Sequence, residues 1–123
     1  IAQKALAKMA AVYGTQPADV TAQIGPGIHL DSFEVGDEVY ESFASEGFEM
    51  GAISKRFACT NGVGKKWHID LPECNRLQLV AAGVKADRIM VSPVCTFQQV
   101  AIYFSARRLG INSGRIFTGI MLR

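Results

Sequence analysis

Histidine and cysteine are scarce in this sequence: there are two histidines, His29 and His68, and three cysteines, Cys59, Cys74 and Cys95. No C-x-x-C pair occurs, which argues against a zinc knuckle or a redox dithiol. Two histidines cannot build a self-sufficient His-rich zinc site, so metal chemistry would need ligands from elsewhere. Three widely spaced cysteines read as reduced thiols, and a cytoplasmic protein is expected. An excess of charge of one sign is also missing. Thirteen Lys and Arg stand against eleven Asp and Glu, leaving +2. That balance argues against a nucleic-acid or membrane partner recruited by bulk electrostatics. No apolar run approaches the ~20 residues of a membrane span. No basic stretch leads into an apolar one as in a signal peptide. An initiator Met and a capping residue before the first helical pattern are absent too, and the expectation is a piece of a longer chain.

What is present is a globular composition, 49% apolar and 20% charged over 123 residues. That length suits one domain burying roughly two-thirds of its unfolded surface. Ile1 to Tyr13 is periodic as a helix, with Ile1, Ala5, Leu6, Met9 and Val12 near one face, and Gly14 is placed to end it. Val20 to Ile24 reads as a strand broken by Gly25-Pro26-Gly27. A helix is expected over Val35 to Ala44, capped by Asp31 or Ser32. Residues 46 to 64 read as a loop with a short strand near 53–58. Trp67-His68-Ile69 reads as a strand running into a helix. Asp70 and Glu73 have capping-box spacing at its start, and Gly83 stands at its end. Ile89–Val91 is a further strand. Val100–Phe104 reads as an apolar strand or short helix, and Arg115–Leu122 as a closing strand. The expected fold is α+β, a layered mixed β-sheet with flanking helices, in one unit over residues 1–123.

Four segments could carry chemistry. Gly25 to Gly27 could let the backbone approach a ligand closely, with a plain tight turn as the more ordinary reading. No G-x-G-x-x-G pattern accompanies it, so it is not a dinucleotide fingerprint. His68, alternating with Trp67 and Ile69, could be a base or a ligand, or an outward structural histidine. Cys95 follows Pro93 and could be a nucleophile given a neighbouring cation, with a buried structural thiol as the default. Arg107, Arg108 and Arg115 lie within nine positions and could clamp a phosphate or carboxylate, or be exposed at a strand end.

Taken in order, "IGPGIHLDSFEVGDEV" from Ile24, "KWHIDLPECNRLQLVAAGV" from Lys66, "VCTF" from Val94, "YFSARR" from Tyr103 and "SGRIFTGIML" from Ser113 resemble the C-terminal half of the YfiH family. That family carries the labels laccase-domain or multicopper polyphenol oxidase, peptidoglycan-editing factor and purine nucleoside phosphorylase. The resemblance implies phosphorolysis of adenosine, inosine and methylthioadenosine, with adenosine deamination beside it. It also implies a zinc or copper centre held by His, Cys and His upstream of this chain, so that none of these residues, Cys95 included, is a metal ligand. The chain alone is then expected to be inactive. Its partners would be a purine nucleoside, phosphate, and the missing N-terminal half or a second chain. Within the matching segments Gly25, Pro26, Gly27, Arg107 and Arg108 are the candidate anion and substrate contacts, and Thr96 and Ser105 the hydroxyl donors. Ala106, where the family has Tyr, and Leu109-Gly110, where it has Asp-Gly, depart from its pattern. The competing expectations are hydrolytic editing of a peptidoglycan precursor, copper-dependent phenol oxidation, which these few ligands do not support, and a non-catalytic binding domain.

Overall fold

A computed structural model describes residues 1–59 and 62–121. Its elements in chain order are α1 (Ala2–Tyr13), β1 (Ala22–Ile24), β2 (Glu34–Val35), α2 (Asp37–Ser45), α3 (Met50–Ile53), β3 (Ser54–Ala58), β4 (Lys65–Ile69), α4 (Leu71–Ala81), β5 (Ile89–Val91) and α5 (Ala106–Leu109). Strands and helices mix as an α+β fold. Parallel and antiparallel pairing are partitioned between two small sheets. β1 pairs with β5 in parallel, Ala22 opposite Ile89. β4 lies between β2 and β3 in an antiparallel sheet, with Arg56 and Val35 both opposite Trp67. No helix of the described residues is long and apolar enough to cross a membrane.

Helix α4 separates the two sheets, because its apolar positions lie on two faces. Cys74 packs with Val35, Met50, Ile53 and Ile69 beneath the antiparallel sheet, and Leu71 and Leu77 border that cluster. Leu79 packs with Leu6 of α1 and Val84 against the parallel pair. The ends of α4 are fixed locally. The Asp70 carboxylate accepts from the Glu73 amide at 3.0 Å, supplying one of the orphan amides of the first turn with a partner. The reciprocal half of the capping box is not made. The Glu73 carboxylate turns to Arg76, at 2.6 and 2.7 Å, while the Asp70 amide donates to the Ile53 carbonyl at 2.7 Å. At the other end Gly83 takes φ 95°. Its amide donates to Val80, and that of Val84 to Leu79, which is the Schellman pattern. Val84 and Leu79 share a hydrophobic cluster, the contact that accompanies this motif.

Several expected elements differ. Val35 is a strand residue, buried opposite Trp67, and α2 begins two residues later at Asp37 after an extended Gly36. Asp31 and Ser32 lie in a short 3₁₀ turn, Leu30–Ser32, and cap nothing. The ladder with β4 has claimed the residues that helical periodicity assigned to α2. The first strand is shorter than expected, since Pro17–Asp19 forms a 3₁₀ turn that delivers the chain only at Ala22. Residues 100–104 form neither strand nor α-helix; Ile102 and Tyr103 both donate to the Gln99 carbonyl in a run of turns. Residues 115–121 take no regular structure, and Leu122 lies outside the described residues. Phe117, Ile120 and Met121 are exposed there, so no burial rewards a closing strand. On α1 only Leu6 is buried, while Met9 and Val12 of the same face remain exposed.

Candidate functional site

Just beyond β1 the chain breaks at Gly25-Pro26 and then resumes parallel pairing for a single step. The Gly27 amide donates to the Val94 carbonyl at 3.3 Å, and the Thr96 amide to the Gly27 carbonyl at 2.9 Å. This bridge sets Gly27 opposite Cys95 and brings the segments of residues 27–34 and 94–99 together. Cys95 and Thr96 are buried there, as is Ser105 farther on.

The Cys95 Sγ lies 3.6 Å from Ser32 Oγ. Burial works to raise its pKa and is the largest single influence. The amide of His29, the Ser32 hydroxyl and the amides of Gln98 and Phe97 together outweigh it, so the thiol sits below its ordinary range. Cys74 has the opposite fate. Burial first, then the Asp70 carboxylate, push it up to about 11, a thiol that stays protonated.

His68 points inward and not, as its alternation allowed, to solvent. It is 8% exposed, and its ring lies 4.7 Å from that of Phe57. Its Nδ1 is 2.8 Å from the Leu30 carbonyl oxygen. A carbonyl only accepts, so Nδ1 carries the proton. His68 thus tethers the 27–34 segment to β4. His29 Nε2 is buried with no hydrogen-bond partner among the described residues.

The three arginines do not form one clamp. Arg107 Nη1 donates to the Glu34 carbonyl at 2.7 Å, and its guanidinium lies over Phe33, 5.0 Å from the ring centroid. Arg108 lies over Phe97 at 4.9 Å. Arg115 folds onto its own turn, donating to the Ser113 and Gly114 carbonyls. Ser105 precedes α5, and its carbonyl accepts from the amides of Arg108 and Leu109.

Of the residues singled out from sequence, Gly27 and Thr96 are joined directly, and Arg107 and Arg108 are tied through Phe33 and Phe97 to the two segments that Gly27 and Cys95 bridge. Gly25 and Pro26 instead line a cleft of about 560 Å³ whose far wall is Thr118, Gly119 and Ile120. A Cβ on Gly25 would meet Thr118 Cγ2 at 3.4 Å, an ordinary contact with the far wall of the cleft. Sequence reasoning missed Ser32, Phe33 and Phe97. Nothing local marks them, since their partners lie 11 to 74 positions away. Among the described residues no three His, Cys, Asp or Glu side chains gather to hold a metal ion.

Comparison with known proteins adds to this geometry. The family described as multi-copper polyphenol oxidoreductase laccase matches residues 1–123. A protein of Bacteroides thetaiotaomicron named purine nucleoside phosphorylase is 48% identical over 99% of this chain, which covers 44% of that protein. A protein of an unknown prokaryotic organism named adenosine deaminase RL5 is 50% identical over 82% of this chain, covering 37% of that protein. The crystal structure of the Bacillus licheniformis protein YfiH superposes with a TM-score of 0.73 at 30% identity, over 88% of this chain and 39% of that one. The chain therefore spans less than half the length of these relatives.

Proposed function

Because the chain belongs to the multi-copper polyphenol oxidoreductase laccase family, in which close relatives carry the name purine nucleoside phosphorylase, we propose that it forms part of an enzyme that cleaves purine nucleosides with phosphate. The observation that carries this reading is the 48% identity, across 99% of the chain, to the Bacteroides protein of that name. Adenosine, inosine and methylthioadenosine are the proposed substrates. Adenosine deamination is the proposed companion activity, supported by the relative named adenosine deaminase. In phosphorolysis a phosphate oxygen bonds to the anomeric carbon as the bond to the purine nitrogen breaks. The base leaves with a proton and ribose 1-phosphate remains. Positive charge grows on the sugar, so the protein must hold an anion beside it and assist the departing base.

Gly25, Pro26, Gly27, Thr96, Ser105, Arg107 and Arg108 are the proposed substrate-binding residues. The Gly27–Cys95 bridge, closed by the Thr96 amide, and the guanidinium groups of α5 support that assignment. A zinc or copper centre, which the family's description suggests, is assigned to ligands outside this chain, and the remainder of the relatives' length is the proposed partner. A cytoplasmic location goes with free thiols at Cys59, Cys74 and Cys95.

The test is chromatography of free base and ribose 1-phosphate after incubation with inosine or adenosine, with and without phosphate. A protein carrying this chain at the relatives' full length is expected to release base only with phosphate, and the 123-residue chain alone to release none. Base release independent of phosphate, or none from the longer protein, would overturn the reading.

A further inference from the structure

Arg107 and Arg108 are neighbours in sequence and of one chemical type, yet their surroundings differ. Arg107 is held twice, by its 2.7 Å bond to the Glu34 carbonyl and by the face of Phe33. The Glu34 side chain is itself paired with Lys66 at 3.0 Å, and its backbone pairs with β4 at His68. The Arg107 head group therefore fastens α5 to the edge of the antiparallel sheet, and part of its donor fork is spent on protein. Arg108 has one constraint of another kind. Its guanidinium lies 4.9 Å over the half-buried ring of Phe97, and among the described residues it makes no hydrogen bond or ion pair. An aromatic face under a guanidinium restrains it by a cation–π contact and takes up none of its N–H donors. A restrained fork with no hydrogen-bond partner among the described residues can pair with the oxygens of a tetrahedral oxyanion. Phe97 follows Thr96, whose amide closes the bridge to Gly27, so the plate is anchored to the segments that carry the candidate contacts.

We propose that Arg108, held on Phe97, is the phosphate-binding residue, that Phe97 sets its direction, and that Arg107 is a positioning residue. This rests on the nucleoside-phosphorolysis reading and assigns its anion to one of the two arginines.

The experiment is calorimetric titration of the chain with inorganic phosphate at fixed ionic strength, with circular dichroism to confirm that each variant is folded. Arg108→Ala is expected to weaken phosphate binding about tenfold or more, as loss of a charge-assisted donor pair does. Phe97→Leu keeps the charge but removes the plate, and a loss of roughly threefold is expected. Arg107→Ala is expected to lower the melting temperature and to weaken phosphate only to a similar small extent. Arg107→Lys, which keeps a donor for the Glu34 carbonyl, should restore the affinity. The proposal is overturned if Arg108→Ala binds phosphate within twofold of the parent, or if the parent binds none. It is equally overturned if Arg107→Lys, which preserves charge and fold, loses as much as Arg108→Ala. Phosphate-dependent base release that survives Arg108→Ala in the longer protein would remove the arginine assignment alone. Absence of such release in the unmutated longer protein would remove the wider reading.

Discussion

Ile69 is the last residue of β4 and is 0% exposed. It is packed among Val35, Met50, Ile53 and Cys74. Its amide donates to the Phe33 carbonyl at 3.2 Å, and the following amide, of Asp70, donates to the Ile53 carbonyl at 2.7 Å. Those two bonds pin the backbone on both sides, so the wall around a truncated side chain cannot collapse freely. Truncation of buried Ile to Ala costs about 2–5 kcal/mol, the larger values where a cavity persists, and here about 3–4 kcal/mol is expected for Ile69→Ala. Ile69→Val removes one methylene and should cost about 1 kcal/mol. With a urea slope of ~1–3 kcal/mol per molar for a chain of this size, the Ala variant should unfold about 2 M earlier. That is a large share of a typical total of ~5–15 kcal/mol. Trp67 is the single tryptophan and stacks on Tyr40 at 4.1 Å, so its fluorescence follows the loss of this cluster. Ile102→Ala, at a position 76% exposed, is the control and should change stability by less than about 0.5 kcal/mol. If Ile69→Ala unfolds at the same urea concentration as Ile102→Ala, the packing argument fails.

The Glu73 carboxyl is held below its ordinary range by its hydrogen bond to Arg76. A depressed carboxyl contributes stability that is fully present above the unfolded pKa of about 4.3 and is lost as pH falls through the folded value. Glu73→Gln should therefore flatten the acid limb of the stability profile and leave its shape above about pH 5 unchanged; an identical acid limb would contradict the pairing. Ser32→Ala removes one of the hydrogen-bond partners that hold the Cys95 thiol low. The pH profile of Cys95 alkylation, followed by peptide mass, should move upward, with Cys74 silent as an internal standard; an unmoved profile would show that Ser32 does not act on the thiolate. Ile111, Phe117, Ile120 and Met121 are all more than four-fifths exposed, and large apolar side chains left in water favour association. Sedimentation velocity should find this chain associating with rising concentration, and Phe117→Ser with Ile120→Ser should shift it toward monomer. A monomer at every concentration would refute that.

Elements were legible from sequence where their signals are local. The Asp70 cap, the Schellman close at Gly83 and the end of α1 at Gly14 depend on residues within a turn of one another, and each was readable from residue type and spacing. The family likeness was legible for a different reason, since five segments in fixed order constrain one another. What could not be read is whatever depends on pairing across the chain. Val35 satisfies a helical period, yet its place opposite Trp67 is decided by a strand 32 positions away. His68 alternates with two apolar neighbours, and alternation alone allows either face to be the buried one. The Leu30 carbonyl, 38 positions distant, settles it. The same limit divides the candidate site. Composition marks Arg107 and Arg108 as a pair, but Arg107 answers to Glu34, 73 positions back, and Arg108 to Phe97, eleven back. Among the described residues their partners give one a hydrogen bond to the backbone and the other only an aromatic face. Side chains of identical type at adjacent positions acquire different surroundings through residues that neither can be seen to touch in the sequence.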